Sequence, residues 1–246
     1  MSVTITTEAL IDAVLERDHP KVLRLIDGGV NIDRQSTSHR NTALIYSALQ
    51  NCIDSARDLI RAGAKLNLQN DSGNTALMIA SEYNHKDIAQ MLINAKANLN
   101  IRNGKGNTAL IWAIMKGHID IVQMLIKGGV DLEVSNNNGH KALHFAVRED
   151  KPDMIYALVF AGADPLVVSR QYRAKYKEII ETAQQDALAI KQAHEQKVLA
   201  DRQKAYARID LSGYVSRQMQ KMTEVMKDGQ KNPPPFTSRR RYKKTR

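Results

Sequence analysis

A short phrase recurs at a constant interval of 33 residues: Asn41-Thr42-Ala43-Leu44, Asn74-Thr75-Ala76-Leu77, Asn107-Thr108-Ala109-Leu110 and, degraded, His140-Lys141-Ala142-Leu143. A fixed period of this length means a stack of like supersecondary units rather than one globular core. Two short apolar stretches follow each phrase. After Ala76-Leu77 a helical pattern ends near Asn84; His85 then precedes Ile88-Ala89 and Met91-Leu92-Ile93, and Asn98-Leu99-Asn100 closes the unit. The next copy keeps this order with Gly117-His118, Ile121-Val122, Met124-Leu125-Ile126 and Gly128-Gly129-Val130. Apolar residues at helical spacing on two short segments predict a pair of helices, neither of which can bury its face alone. Stacking the copies buries both, so stability becomes a sum over neighbours.

The pattern resembles the ankyrin repeat family, whose units run roughly D-x-x-G-x-T-P-L-H-x-A-A-x-x-G-H, then a helix and G-A-D. The nearest matches are Gly106-Asn107-Thr108-Ala109-Leu110 with Gly117-His118, and Ala161-Gly162-Ala163-Asp164. The phase extends back to a fifth unit through Ala9-Leu10, Val22, Leu25-Ile26 and Gly29-Val30-Asn31-Ile32-Asp33. That copy is offset by 34 residues, which places one inserted residue in the Arg34–Arg40 connection. The resemblance implies an all-α repeat solenoid of helix-turn-helix units with hairpin loops, continued by a helical C-terminal extension. The repeats are expected over residues 5–168, in units 5–35, 36–68, 69–101, 102–134 and 135–168. A charged helical extension at 169–228 and a disordered basic tail at 229–246 follow.

Ala43, Ala76, Ala109 and Ala142 stand where the family has Pro, giving up the fixed φ of a first-turn proline. Thr42, Thr75 and Thr108 are expected to cap their helices through the hydroxyl, which Lys141 cannot do. The glycine that ends the second helix in a left-handed conformation is present as Gly29, Gly63, Gly129 and Gly162, whereas the third unit has Lys96.

Charge separates the chain into two parts. Residues 1–165 hold 17 Lys/Arg and 18 Asp/Glu, while residues 166–246 hold 19 and 8, so the net +10 belongs entirely to the region after the repeats. From Arg170 to Ile209 a composition rich in Ala, Gln, Lys and Glu favours helix. Its stripe of Tyr172, Tyr176, Ile179-Ile180, Ala183, Ala187 and Ile190 is expected to cap the last repeat, with the remainder projecting. Around and beyond a break at Gly213, Leu211, Val215, Met219, Met222 and Met226 mark a second amphipathic stretch, read as folding back on the preceding helix or as a partner-docking or membrane-surface element. After Asn232-Pro233-Pro234-Pro235, which cannot continue a helix, the basic tail is Arg239, Arg240, Arg241, Lys243, Lys244 and Arg246. Such a run suits nuclear import, nucleic acid or an anionic membrane, or is simply a solvated end.

No apolar run approaches the length of a membrane span, and no basic-then-apolar leader pattern opens the chain. Cys52 is the single cysteine, which excludes an intrachain disulfide and points to a reducing, intracellular setting, cytoplasmic or nuclear. Nothing in the pattern argues for catalysis or a cofactor. His140-Lys141-Ala142-Leu143-His144 has zinc-helix spacing, but Lys141 occupies the place of the general-base Glu and His140 falls in the loop before the helix. His85 and His118 occupy the family's inter-helix position, where the ring bonds backbone, and Cys52 in the same slot reads as a small buried side chain. Gly104-Lys105-Gly106 lies in a hairpin and lacks the flanking pattern of a phosphate loop.

The resemblance implies a non-catalytic adaptor that binds another protein through a concave face built from hairpin tips and first helices. The corresponding positions are Leu49, Asp71, Glu82, Tyr83, Arg102, Lys105, Met115, Lys116, Arg148 and Glu149, with Ser72, Asn74, Asn107, Asn137, Asn138 and His140 beside them. Leu49, Tyr83 and Met115 form an apolar diagonal across that face. Tyr46, Ile79, Trp112 and Phe145 share one position that reads as packing between helices. Asn-Thr-Ala-Leu followed by Ile or Met is also similar to ankyrin proteins of bacteria living inside host cells, which implies an effector secreted into the host by a C-terminal signal. The alternative is a nucleus-associated or nucleic-acid-binding factor that acts through its basic tail.

Overall fold

The computed structural model describes residues 7–207 and Gln220; apart from Gln220, the amphipathic stretch around and after Gly213 lies outside the described residues, as does the basic tail. Among the described residues there are twelve α-helices and no strand. Five helix pairs follow one another: α1 (Thr7–Leu15) with α2 (His19–Asp27), α3 (Ala43–Gln50) with α4 (Ile53–Arg61), α5 (Ala76–Glu82) with α6 (Lys86–Asn94), α7 (Ala109–Lys116) with α8 (Ile119–Lys127), and α9 (Ala142–Arg148) with α10 (Pro152–Phe160). A 3-10 turn (Pro165–Val167), α11 (Arg170–Lys175) and α12 (Lys177–Ala207) complete the order. The expected all-α repeat solenoid is the observed architecture.

The first helices form one layer, α1 to α3 to α5 to α7 to α9, and the second helices form another, α2 to α4 to α6 to α8 to α10. Two columns of small residues let the first helices approach closely: Ala43, Ala76, Ala109 and Ala142 on the first turn, and Ser47, Ala80, Ala113 and Ala146 one turn on. Beside them Leu10, Leu44, Leu77, Leu110 and Leu143 are at most 2% exposed. In the second layer Leu59, Leu92, Leu125 and Leu158 are fully buried, as are Ala56, Ala89, Val122 and Ile155. All of these leucines belong to one core that runs through the units. Truncating one to Ala in such a core costs about 2–5 kcal/mol.

The expected caps form. Thr42, Thr75 and Thr108 hydroxyls accept from the N–H groups of Ile45, Met78 and Ile111 at 3.2–3.3 Å. At Lys141 the cap is inverted: His144 Nδ1 accepts the Lys141 backbone N–H at 3.1 Å, so only the reciprocal half of a capping box is present.

Left-handed backbone marks the register as clearly as the core does. Every described residue with positive φ falls in one of three columns. Arg17, Asn51, Asn84, Gly117 and Asp150 follow the first helices; Gly29, Gly63, Lys96, Gly129 and Gly162 follow the second; Arg40, Gly73, Gly106 and Gly139 turn the hairpin loops. Lys96 adopts φ +66° where its counterparts are glycine. The inserted residue of the first connection lies between Ser36 and Arg40. Ser36 N bonds Asn41 O across one residue more than separates Asn70 N from Asn74 O.

The chain divides into two compact units, residues 1–190 and 191–246. The first reaches past the last repeat because Tyr176, Ile180 and Ala183 are buried, with Tyr176 Oη donating to Asp150 and Lys175 Nζ lying 3.2 Å from the same carboxylate. Tyr156 Oη also donates to Asp186 at 2.8 Å. Tyr172 and Ile190, expected in the buried stripe, are instead exposed, and the buried and half-buried part of the stripe runs from Tyr176 to Ala187. In the second unit every residue from Lys191 to Lys204 is exposed.

Two substitutions test this register. Lys96→Gly relieves a positive φ and is expected to be neutral or to stabilise by about 0.5–1 kcal/mol in urea unfolding. Gly106→Ala is expected to destabilise far more than Gly139→Ala, although both have φ near +77°. A Cβ on Gly106 would meet Asn137 N at 2.5 Å, whereas one on Gly139 meets nothing within 4 Å. Equal losses of stability would refute the loop-to-loop contact.

Candidate protein-binding face

Neighbouring units are held together by a ladder of side-chain amides and a line of backbone bonds in the hairpin loops, and by a second ladder of amide and carboxylate acceptors. Asn70, Asn103 and Asn136 each turn Oδ1 onto two N–H groups of their own loop and donate Nδ2 to the preceding unit, to Asn41, Asn74 and Asn107 at 2.8–3.4 Å. Asp71, Gly104 and Asn137 donate backbone N–H to His39, Ser72 and Lys105 carbonyls at 3.0–3.2 Å. A second ladder lies after the second helices. There the side chains of Asp33, Asn67, Asn100 and Glu133 accept the backbone N–H groups of Lys65, Asn98, Asp131 and Asp164. Neutral amides suit this duty because one group both donates and accepts.

These ladders correct part of the expected contact set. Asn74 and Asn107 are not free surface groups: their side-chain oxygens serve the ladder, and Asn107 is buried. Arg102 is exposed but tied to the next hairpin, donating Nη2 to Asn137 Oδ1 at 2.8 Å and Nε to Gly106 O at 3.4 Å. Gln35 and Gln69 do the same work in earlier units, bonding the Gln69 and Arg102 carbonyls. Leu49 and Met115 are half-buried and packed on the core, so the expected apolar diagonal is exposed only at Tyr83.

Tyr83 is 53% exposed and stacks on His85 with ring centroids 6.0 Å apart. Among the described residues of the repeats it is the one aromatic side chain in the exposed class. Glu82, half-buried, lies 3.6 Å from Lys116 Nζ, which also sits over the Trp112 ring. Asp71 and Lys105 are exposed at successive hairpin tips. Arg148 lies over the Phe145 ring at 4.7 Å and donates to Glu149 at 2.8 Å. Lys105, Met115 and Arg148 come together around one groove of about 440 Å³, with Asn138, His140 and Phe145. The position shared by Tyr46, Ile79, Trp112 and Phe145 is a packing position: Ile79 and Phe145 are buried, Tyr46 and Trp112 partly so. Phe145 nevertheless shows an edge to the groove. No sequence signal separated that edge from the buried remainder, whereas the 33-residue spacing of Asn70, Asn103 and Asn136 would have disclosed the ladder.

The histidines have structural partners. His85 Nδ1 lies 2.7 Å from Ala48 O and His118 Nε2 3.1 Å from Glu82 O, each reaching back to the preceding first helix. Cys52, in the same slot, is half-buried rather than buried; its thiol lies 3.7 Å from Val14 O, and burial pushes its pKa up, away from thiolate chemistry. The His140 and His144 rings lie 5.2 Å apart and tilted by 31°, with His144 Nδ1 already engaged by the Lys141 N–H. Among the described residues no group of three His, Cys, Asp or Glu is placed to hold a metal, and no helix is long and apolar enough to cross a membrane.

A family model described as "Ankyrin repeats (3 copies)" matches residues 10–103 and again 93–169, more than half of the chain. The chain belongs to the ankyrin repeat family. A comparison with curated proteins returns no match. Ankyrin repeats are protein–protein interaction modules and generally act as non-catalytic scaffolds.

His144 supplies a test of the inverted cap in the last ankyrin unit. Burial, then His140 and Lys141, hold its pKa below the ordinary value of 6.5. The folded state therefore favours the neutral ring. That contribution is fully present above the unfolded-state pKa and is lost as pH falls below it, because protonation removes the Nδ1 acceptor. His144→Gln keeps an acceptor at this position. Stability measured from about pH 7 down to pH 5 is expected to fall less in the variant than in the wild type. Parallel curves would contradict the assignment.

Proposed function

We propose that the protein is a non-catalytic adaptor that binds its partner through the first-helix and hairpin face of the ankyrin array. The observation that carries this reading is Tyr83, an exposed aromatic whose side chain makes no hydrogen bond among the described residues, beside the Glu82–Lys116 pair, with the Arg148–Glu149 pair at the end of the fifth unit's first helix. Aromatic and arginine side chains dominate interface energies, often contributing about 2 kcal/mol or more each on truncation. Asp71, Lys105 and Met115 extend the same surface. The buried leucine and alanine columns keep it rigid, so little ordering cost accompanies binding.

The basic C-terminal region supports a second role. Residues 166–246 carry all of the chain's net positive charge, which suits an additional contact with nucleic acid or an anionic membrane or a targeting role in the nucleus. Binding of this kind falls steeply with salt and is lost when residues 231–246 are removed. An effector secreted into a host cell is consistent with the same tail serving as its export signal, which a translocation assay with and without residues 227–246 tests.

The primary reading predicts that Tyr83→Ala/Met115→Ala/Lys116→Ala loses the captured partner while its melting temperature stays close to wild type. Trp112→Ala, by contrast, is expected to lower the melting temperature, since Trp112 packs against the core. A triple variant that stays folded and captures the same proteins would transfer the binding site to the region after residue 168.

A further inference from the structure

We infer that the groove between the fourth and fifth ankyrin units takes an acidic peptide segment carrying an apolar side chain next to its carboxylate. The inference rests on the binding-face reading and specifies its partner.

The groove encloses about 440 Å³ and is lined by Lys105, Arg148 and His140, with Met115 and Phe145 among its apolar residues and no Asp or Glu in the lining. The charged groups around it differ in how they are engaged. Lys116 and Lys141 have carboxylates at 3.6 and 2.6 Å, from Glu82 and Glu133. Lys105 Nζ has no partner among the described residues, although the Lys105 carbonyl is fixed by Asn137 N–H at 3.2 Å. An exposed, unpaired ammonium on an anchored backbone is free to meet an anion, the ordering cost being confined to its own side chain. Arg148 is held over the Phe145 ring at 4.7 Å while Nε and Nη2 reach Glu149. A guanidinium carries five N–H donors, so Nη1 and one hydrogen of Nη2 stay available for a second carboxylate. His140 stands edge-on to the same Phe145 ring at 6.1 Å and adds a third group able to donate to an anion.

Position and chemistry agree. Lys105 comes from the hairpin tip of the fourth unit, Met115 from the end of its first helix, and His140 and Arg148 from the hairpin and first helix of the fifth. A carboxylate between Lys105 and Arg148 would place the neighbouring side chain over Met115 and the Phe145 edge. Acidic groups arriving at a site lined on this pattern are also steered to it, which gives binding a salt dependence. A basic or uncharged peptide gains neither term.

The test is selection from a random peptide library displayed on phage, using the full-length protein and the charge-reversed variant Lys105→Glu/Arg148→Glu. Amide shifts of the isotope-labelled protein then locate the selected peptides. Lys127→Glu, a lysine on α8 outside the groove, serves as control. The expected result is enrichment of peptides with Asp or Glu beside an apolar residue, shifting the Met115 and Asn138 amides. Charge reversal should weaken them at least about tenfold, while the control leaves them unchanged. Enriched peptides without an acidic excess that still shift those amides would overturn the acidic-peptide inference and leave the binding-face reading standing. Peptides that shift only amides outside the first-helix and hairpin face, or no enrichment at all, would overturn both.

Discussion

Burial between neighbours is the interaction on which everything else depends. No unit of this chain has an interior of its own: Leu44, Leu77 and Leu110 are covered only because another helix pair is laid against them. The apolar face of a short helix pair is too small to offset the entropy of ordering it, and stacking adds an interface with each neighbour to the area a unit removes from water. The consequence is a rigid array whose surface side chains are held at 33-residue intervals by a core that does not involve them.

The polar ladders complete what burial begins. Apolar columns set the distance between units but tolerate sliding, whereas hydrogen bonds between Asn103 and Asn74, or between Asn100 and the Asp131 N–H, are satisfied at one register only. The glycine columns belong to the same constraint. Gly73 and Gly106 sit where the next hairpin's backbone approaches too closely for a Cβ, while Gly29, Gly63, Gly129 and Gly162 serve only their left-handed turns. Register and rigidity at the hairpins bear on the proposed binding face because Lys105 and Asp71 lie exposed at the tips that these bonds hold.

Much of the fold was legible in the sequence. The helix pairs, the threonine caps, the left-handed Lys96, the off-register first unit and the cap formed by Tyr176 and Ile180 all derive from periods and residue types. The site was legible only in outline. Positions facing the hairpin side could be counted off from the phrase, but counting cannot say which side chains are already engaged. Arg102 and Asn107 occupied expected contact positions and proved to serve neighbouring loops, whereas Phe145, expected to be packing, shares in the groove through one edge.

The sequence by itself determined the architecture: a 33-residue period of apolar and turn residues admits a stacked helical array, and the near-neutral balance of residues 1–165 assigns the basic character to residues 166–246. Those properties are local, since helix faces, caps and left-handed turns depend on residues a few positions apart. Only the tertiary structure decided which polar side chains remain for a partner. Asn74 meets Asn103, Lys116 meets Glu82 and Lys141 meets Glu133 across loops and units, and each such meeting withdraws a donor or a charge from the surface. Lys105 retains an unengaged ammonium for the same reason, because no carboxylate among the described residues is brought within reach of it.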